Sequence, residues 1–408
     1  MQYYEGIPIN TMTSSQQSPR TVHFSDTTLR DGEQMPGAAL EPEAKVRIAM
    51  ALAGAGVASI DAGFPACSWS EIEAIRRIAD TVPGPIISAL CRTVRDDINK
   101  AWDALSEARP DKRAVSLFVG TSPLHREHKL RLDIQGLLRL IRDSIEYARQ
   151  KFHIVSFSPE DASRTEPEVL AEIYREAIDA GAAVVGFPDT VGVLSPDGVR
   201  DAIRRIQDSV PNIGRAVMAC HFHNDLGLAT YNTLAALREG VAIVQCTVNG
   251  IGERAGNTAF EEVVMALALH GESMGLATSV PTDKLWPLSQ LVAELTGIPI
   301  PANKAVVGGN VFTTEAGIHQ DGLLKHPDTY LPFRPERVGA PPVKLVLGKH
   351  SGRALFVERL ARLGVELDGH ELDALIALAK DSPKQAWGNE SALLAGAVAK
   401  VRGKPPSH

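Results

Sequence analysis

The stretch Ala216-Val217-Met218-Ala219-Cys220-His221-Phe222-His223-Asn224-Asp225 decides the fold, together with the helix-like segment and second apolar run beyond it, which end in Asn249-Gly250-Ile251-Gly252-Glu253-Arg254-Ala255-Gly256-Asn257. An apolar run of this kind reads as a buried strand. A strand sends residues two apart to one face, so His221 and His223 point at the same spot. Residues 225–240 carry Leu226, Leu234 and Leu237 at helix-like spacing, and residues 242–248 are again strand-like. A strand–helix–strand unit makes parallel neighbours whose carboxyl ends lie side by side. Asn257, in the Gly-rich turn beyond the second strand, therefore reaches the spot that the two histidines face.

The same alternation runs through most of the chain. Strand-like segments fall at 21–25, 57–62, 86–90, 114–119, 153–157, 182–187, 216–221 and 242–249. Helix-like spacing lies between them, as in Val46, Ala49, Met50 and Ala53, or Leu137, Leu138, Ile141 and Ile145. Ser195-Pro196-Asp197 reads as an N-cap with proline at the first helical position. Eight strand–helix repeats predict a (β/α)8 TIM barrel rather than an open doubly wound sheet. Polar groups come after the strands consistently: Arg30 and Asp31 the first, Arg92 the third, His125 the fourth, Glu160 the fifth, Asp189 and Thr190 the sixth. In a barrel all of these share one face, where active sites are built.

Of the 408 residues 44% are hydrophobic and 22% charged, ordinary for a globular protein, and the net charge of −7 gives no reason to expect nucleic-acid or membrane-surface binding. Cys67, Cys91, Cys220 and Cys246 form no Cys-x-x-Cys pair and sit in or beside apolar runs, as buried free thiols of a cytoplasmic protein do. No apolar span is long enough to cross a bilayer.

Four divisions are expected: a loose leader at 1–20, the catalytic barrel at 21–277, a linker or lid at 278–353, and a small helical subdomain at 354–408. The linker begins where prolines 281, 287, 299 and 301 punctuate short helices. It is unusually polar and contains Gly317-Ile318-His319-Gln320-Asp321-Gly322, Thr329-Tyr330-Leu331-Pro332 and Gly348-Lys349-His350-Ser351-Gly352. Loops of this composition often carry function, although His350 with its neighbours also fits a simple turn.

A His-x-His pair by itself fits two packed core histidines as well as a ligand pair. The distant signature Thr27-Thr28-Leu29-Arg30-Asp31-Gly32-Glu33-Gln34 supplies a hard carboxylate and a fixed cation at the end of another strand. With two histidines these compose a divalent-metal site.

At these residues the sequence resembles the acetyl-CoA-dependent 2-oxo-acid condensing enzymes of the 2-isopropylmalate synthase and homocitrate synthase family. The likeness runs from about residue 21 to 353. It also rests on Phe157-Ser158-Pro159-Glu160-Asp161-Ala162, on Pro188-Asp189-Thr190-Val191-Gly192 and on Gly317-Ile318-His319-Gln320-Asp321-Gly322. The resemblance implies Asp31, His221, His223 and Asn257 as ligands of a divalent metal (Mn²⁺, Mg²⁺, Co²⁺ or Zn²⁺), with Arg30 beside the reacting oxygen. It implies Glu160, His319 and Tyr330 as further catalytic residues and Ser158 and Thr190 as substrate-contacting ones; Gln34, in the first signature, and Arg92, after the third strand, are expected to bind substrate as well. It further implies acetyl-CoA as co-substrate and a homodimer in which His319 serves the partner's site. The expected reaction is a Claisen condensation of acetyl-CoA with a 2-oxo acid, then thioester hydrolysis. The alternatives are a metal-dependent acyl-CoA lyase of the hydroxymethylglutaryl-CoA lyase type and a binding protein that has lost its chemistry.

Two departures from the family pattern shape the expectation. The chain stops at His408, so no leucine-sensing regulatory domain and no feedback inhibition by leucine are expected. Gly186 stands where the leucine-pathway enzymes carry Asn and homocitrate synthases Arg, which is expected to leave room beside Thr190. Arg92, His125 and Arg164 are the candidates to bind a distal anion there, as in a phosphonopyruvate substrate yielding phosphonomethylmalate.

Overall fold

The computed structural model describes residues 18–403, which divide between two compact units, one ending at Ile300 and the other beginning at Pro301. The first holds a closed barrel of eight parallel strands: β1 (His23–Asp26), β2 (Ser59–Asp61), β3 (Ile86–Arg92), β4 (Arg113–Gly120), β5 (Ile154–Glu160), β6 (Val184–Asp189), β7 (Val217–Phe222) and β8 (Ile243–Cys246). Each pairs with the next, and β8 closes on β1 with His23 opposite Ile243 and Asp26 opposite Cys246. All eight predicted strands are present, in the predicted order. The first residues of the strands plug the amino-terminal end: Ile86 and Ile154 with Ala114, and Val184, Val217 and Ile243 with Ala219 and Ala242, form small buried clusters.

Helices α1 (Pro42–Gly54), α2 (Trp69–Thr81), α3 (Arg95–Leu105), α4 (Ile134–Arg149), α5 (Pro167–Asp179), α6 (Pro196–Ser209), α7 (Ala229–Arg238) and α8 (Phe260–Met274) come after the successive strands. Their apolar stripes cover the barrel; α4, for example, buries Leu137, Ile141, Ile145 and Ala148 at helical spacing. Several of their starts are set by side-chain caps. Ser68 accepts from the Glu71 amide, Asp133 from Gly136, and Ser195 from Gly198 with Pro196 at the first turn, as its sequence predicts.

Residues 1–17 of the expected leader lie outside the described residues. Its last residue does not behave as a leader: Arg20 and Thr21 pair in parallel with Leu276 and Ala277, and the Arg20 guanidinium donates to the carbonyls of Val241 and Leu237. Leu237 is in the last turn of α7, at the negative end of the helix dipole, where a cation is favoured. Residues 278–300, expected in the linker, belong to the barrel unit. Helix Leu285–Thr296 buries Leu285, Leu288 and Val292, and the Ser289 carbonyl accepts from Asn249 beside β8.

In the second unit, helices Arg353–Arg362, Gly369–Lys380 and Glu390–Val401 share one core of Leu355, Phe356, Leu360, Leu372, Leu375 and Leu394. Leu347, from the stretch expected to be linker, is buried in that same core, so no packing boundary separates residues 353 and 354.

Candidate active site

Strand β7 delivers His221, and the residue two further on, His223, emerges on the same side; their Nε2 atoms stand 3.2 Å apart. Asp31 is in a tight turn after β1, where the amides of Arg30, Asp31 and Gly32 all donate to the Thr27 carbonyl. Its Oδ2 lies 3.4 Å from His221 Nε2. Asn257 reaches the group through an isolated bridge with His223 and donates through Nδ2 to Asp31 Oδ1 at 2.9 Å. The approach depends on Gly252, whose φ is +154°: a Cβ there would meet Asn257 Nδ2 at 2.2 Å and Asp31 Oδ1 at 3.1 Å.

One donor atom each from Asp31, His221 and His223 lies within 4.8 Å of the others, and all three residues are buried. The Oδ1 of buried Asn257 has no hydrogen-bond partner, an acceptor without a donor. Burial and the neighbouring His221 push His223 down to about 4, so it is a neutral imidazole at neutral pH. Burial alone would raise the Asp31 carboxyl, but the Arg30 charge and the contact with His221 outweigh it and hold the group well below the usual carboxylate range. An anionic carboxylate, two imidazole nitrogens and an amide oxygen fit a divalent cation.

Arg30 is fixed beside this group. Its Nη1 lies 2.7 Å from Asp31 Oδ2 and its Nε 2.8 Å from Asp61 Oδ2. Asp61 ends β2, a strand whose end contributes no candidate in the sequence pattern, although the carboxyl-end rule that selects the other residues applies equally to it. Its second oxygen is buried without a partner.

Glu160 ends β5. Its carboxylate is held by Lys129 at 2.7 Å and has His125 Nδ1 at 3.6 Å. Thr190 comes just after β6, and its hydroxyl accepts from the Asp161 amide at 2.9 Å. Gln34 is exposed on the short turn Gly32–Gln34.

Gly186 corrects an expectation. The space that a side chain would take there is not left open, because a Cβ at Gly186 would stand 2.2 Å from Ser158 Oγ. The hydroxyl of the neighbouring strand fills the gap. The expected anion binders are also committed elsewhere. Arg92 forms a two-pronged pair with Asp97 at 2.7 and 2.9 Å, Arg164 lies 2.8 Å from Asp161, and His125 sits between Glu160 and Asp161. Each of these three groups already has a carboxylate neighbour within the protein.

His319 and Tyr330 belong to the second unit, where their rings stack with centroids 4.1 Å apart. Both are exposed. His319 lies in helix Gly317–Lys325, not in a loop as its glycine-rich surroundings suggest.

A family model described as HMGL-like matches residues 21–292, and one described as homocitrate synthase post-HMGL domain-like matches residues 306–386. The 2-isopropylmalate synthase of Rhodopirellula baltica is 43% identical over 369 residues, 90% of this chain and 70% of that protein. That of Pyrococcus abyssi is 44% identical over 90% of this chain and 76% of its own. Among solved structures, the hydroxymethylglutaryl-CoA lyase of Bacillus subtilis superposes with a TM-score of 0.60 at 20% identity, covering 71% of this chain and 98% of that one, a likeness of fold. With the barrel, its post-barrel domain and relatives above 40% identity in agreement, the chain belongs to the 2-isopropylmalate synthase and homocitrate synthase family of acetyl-CoA-dependent acyltransferases.

Proposed function

We propose that the chain condenses acetyl-CoA with a 2-oxo acid whose side chain is uncharged, of the 2-oxoisovalerate class, and hydrolyses the resulting thioester to a 2-hydroxy diacid and CoA. The observation that carries this reading is the convergence of Asp31, His221, His223 and Asn257 beside a doubly anchored Arg30. A divalent ion held by those four residues would polarise the 2-oxo group as a Lewis acid. Arg30 is a preorganised cation for negative charge developing on oxygen, and its two carboxylate anchors spare it any reorganisation during the reaction. Glu160 and His319 are proposed to move the acetyl methyl proton and the proton of the new alkoxide, with Tyr330 supporting His319 through the stacked rings. Ser158, Thr190 and Gln34 are proposed to contact the 2-oxo acid.

The choice of an uncharged side chain rests on the paired state of Arg92 and Arg164 and on Phe118, which lies opposite Ser158 in the β4–β5 register and is partly exposed. The 2-isopropylmalate synthase relatives agree with it. We also propose a cytoplasmic homodimer. Among the described residues no helix is long and apolar enough to cross a membrane.

The test is a panel of 2-oxo acids assayed for CoA release from acetyl-CoA. 2-Oxoisovalerate is expected to give the highest kcat/KM. A preference of about a thousandfold for an acid with an anionic side chain, such as phosphonopyruvate or oxaloacetate, would overturn the uncharged-side-chain reading. Cleavage of a 3-hydroxyacyl-CoA without any condensation would overturn the synthase reading.

A further inference from the structure

Lys45, near the start of α1, is 1% exposed, although lysines are almost never fully buried unless paired. It meets two penalties: desolvation of an ammonium, and proximity to the positive end of a helix. Its contacts show what offsets them. Nζ lies 2.6 Å from Glu33 Oε2, 2.7 Å from Glu71 Oε2 and 3.2 Å from the carbonyl of Leu29, to which it donates. Leu29 and Glu33 bracket Arg30 and Asp31. Glu71 in turn accepts from the Phe64 amide just beyond β2, the strand that ends in Asp61. The packing there is close enough that a Cβ on Gly63 would fall 1.8 Å from Glu71 Oε1.

We propose that Lys45 is a positioning residue for the metal site, a buried cation that fixes the loop carrying Arg30 and Asp31 against the strand end carrying Asp61. The ammonium touches none of the proposed ligands. It acts by tying both sides of the Arg30–Asp31 turn to one point, as supporting groups around metal ligands do. This rests on the proposed metal site and is independent of which 2-oxo acid is used.

The test compares the full-length wild type with Lys45→Met by amide hydrogen exchange and by Mn²⁺ binding in calorimetry. The amides of Arg30, Asp31 and Gly32, all bonded to Thr27, are the reporters. Exchange at these amides is expected to quicken about tenfold or more, with strand β7 unchanged, and Mn²⁺ affinity to fall roughly ten- to a hundredfold. Unchanged exchange at residues 30–32, or equally faster exchange over the whole barrel, would overturn the proposal, the latter by making Lys45 merely structural. If Lys45→Met does not fold, Glu33→Gln keeps the Lys45–Glu71 pair and removes only the charged tie to the loop. The same two effects are expected there at about threefold, and wild-type values would refute the assignment. Absence of Mn²⁺ binding by the wild type would instead overturn the metal site, and the exchange comparison still reports on Lys45.

Discussion

Asp26 provides a test of the barrel's electrostatics that is independent of activity. It is wholly buried at the end of β1, and burial, with the carboxylates of Asp61 and Glu261 adding to it, pushes its carboxyl from near 3.8 up to about 7 against the opposing hydrogen bonds from Thr28. The sign comes from linkage. The folded state holds this proton more tightly than the unfolded state, so the stabilisation is fully present below about pH 4 and is lost as pH rises to about 7. At about 1.4 kcal/mol for each pKa unit, the loss approaches roughly 4 kcal/mol and stays constant at higher pH. Asp26→Asn removes the titration and keeps the shape. Its amide oxygen can accept from the Thr28 amide, as Oδ1 does at 2.9 Å, and its NH₂ can face the Thr28 hydroxyl, now 3.0 Å from Oδ2. Urea denaturation of both proteins between pH 5 and 8.5, monitored through the barrel's transition, should show the variant gaining on wild type by about 1.4 kcal/mol per pH unit up to neutrality, then levelling. A difference between the two proteins that does not change with pH would refute the reasoning.

Other consequences are more direct. Chelation should abolish condensation and added Mn²⁺ or Mg²⁺ restore it, and His221→Ala should lose metal and turnover together; full turnover in a metal-free sample would contradict the site. Asp61→Asn should leave Arg30 half-anchored and lower kcat by about a hundredfold, in the range for loss of preorganised charge, which steady-state kinetics can measure. Gly186→Asn should displace the Ser158 hydroxyl, and the double variant Gly186→Asn with Ser158→Ala should recover part of the lost stability; equal melting temperatures for the single and double variants would argue against the overlap. If the enzyme is a dimer that shares its sites, mixed dimers of His319→Ala and Glu160→Ala chains should regain activity that neither parent has, and demonstrated heterodimers without activity would exclude the sharing.

The barrel was legible because its signals are local and repeated. Eight apolar runs bounded by helical spacing need no knowledge of distant contacts, and once the strands are parallel their carboxyl ends must share a face. That inference predicted the meeting of Asp31 with His221, His223 and Asn257, although Asp31 and Asn257 are 226 positions apart. What stayed hidden depends on pairing between side chains. Nothing in the sequence says that Arg92 is matched to Asp97 or Arg164 to Asp161, so both read as free cations. Nor does it say that the hydroxyl of Ser158 fills the space beside Gly186. That emerges only from the β5–β6 register, which sets Ser156 opposite Val184 and so carries Ser158 level with Gly186. Lys45 was invisible for a related reason: a lysine near a helix start reads as solvated surface, and only its burial between two glutamates shows otherwise.

These hidden pairs share a physical role. A metal site on loops needs each loop held by more than its own turn, since ligand positions must be kept within a fraction of an ångström. The β1 loop is held by the Lys45 ammonium and by the Asp61–Arg30 pair. The loops after β6, β7 and β8 are held together by Arg254, which grips Asp225 with two nitrogens at 2.9 Å and donates to the Thr190 carbonyl at 2.7 Å. Arg254 adopts a positive φ of 55° to do so, a conformation that costs a non-glycine residue about 1 kcal/mol or more. Asp225 lies two residues beyond His223, and Arg254 three before Asn257, so this clasp holds the segments of two of the proposed ligands, while Lys45 holds the segment that carries Asp31. The barrel supplies the common face, and these charged ties convert loops of independent origin into one rigid rim around the site.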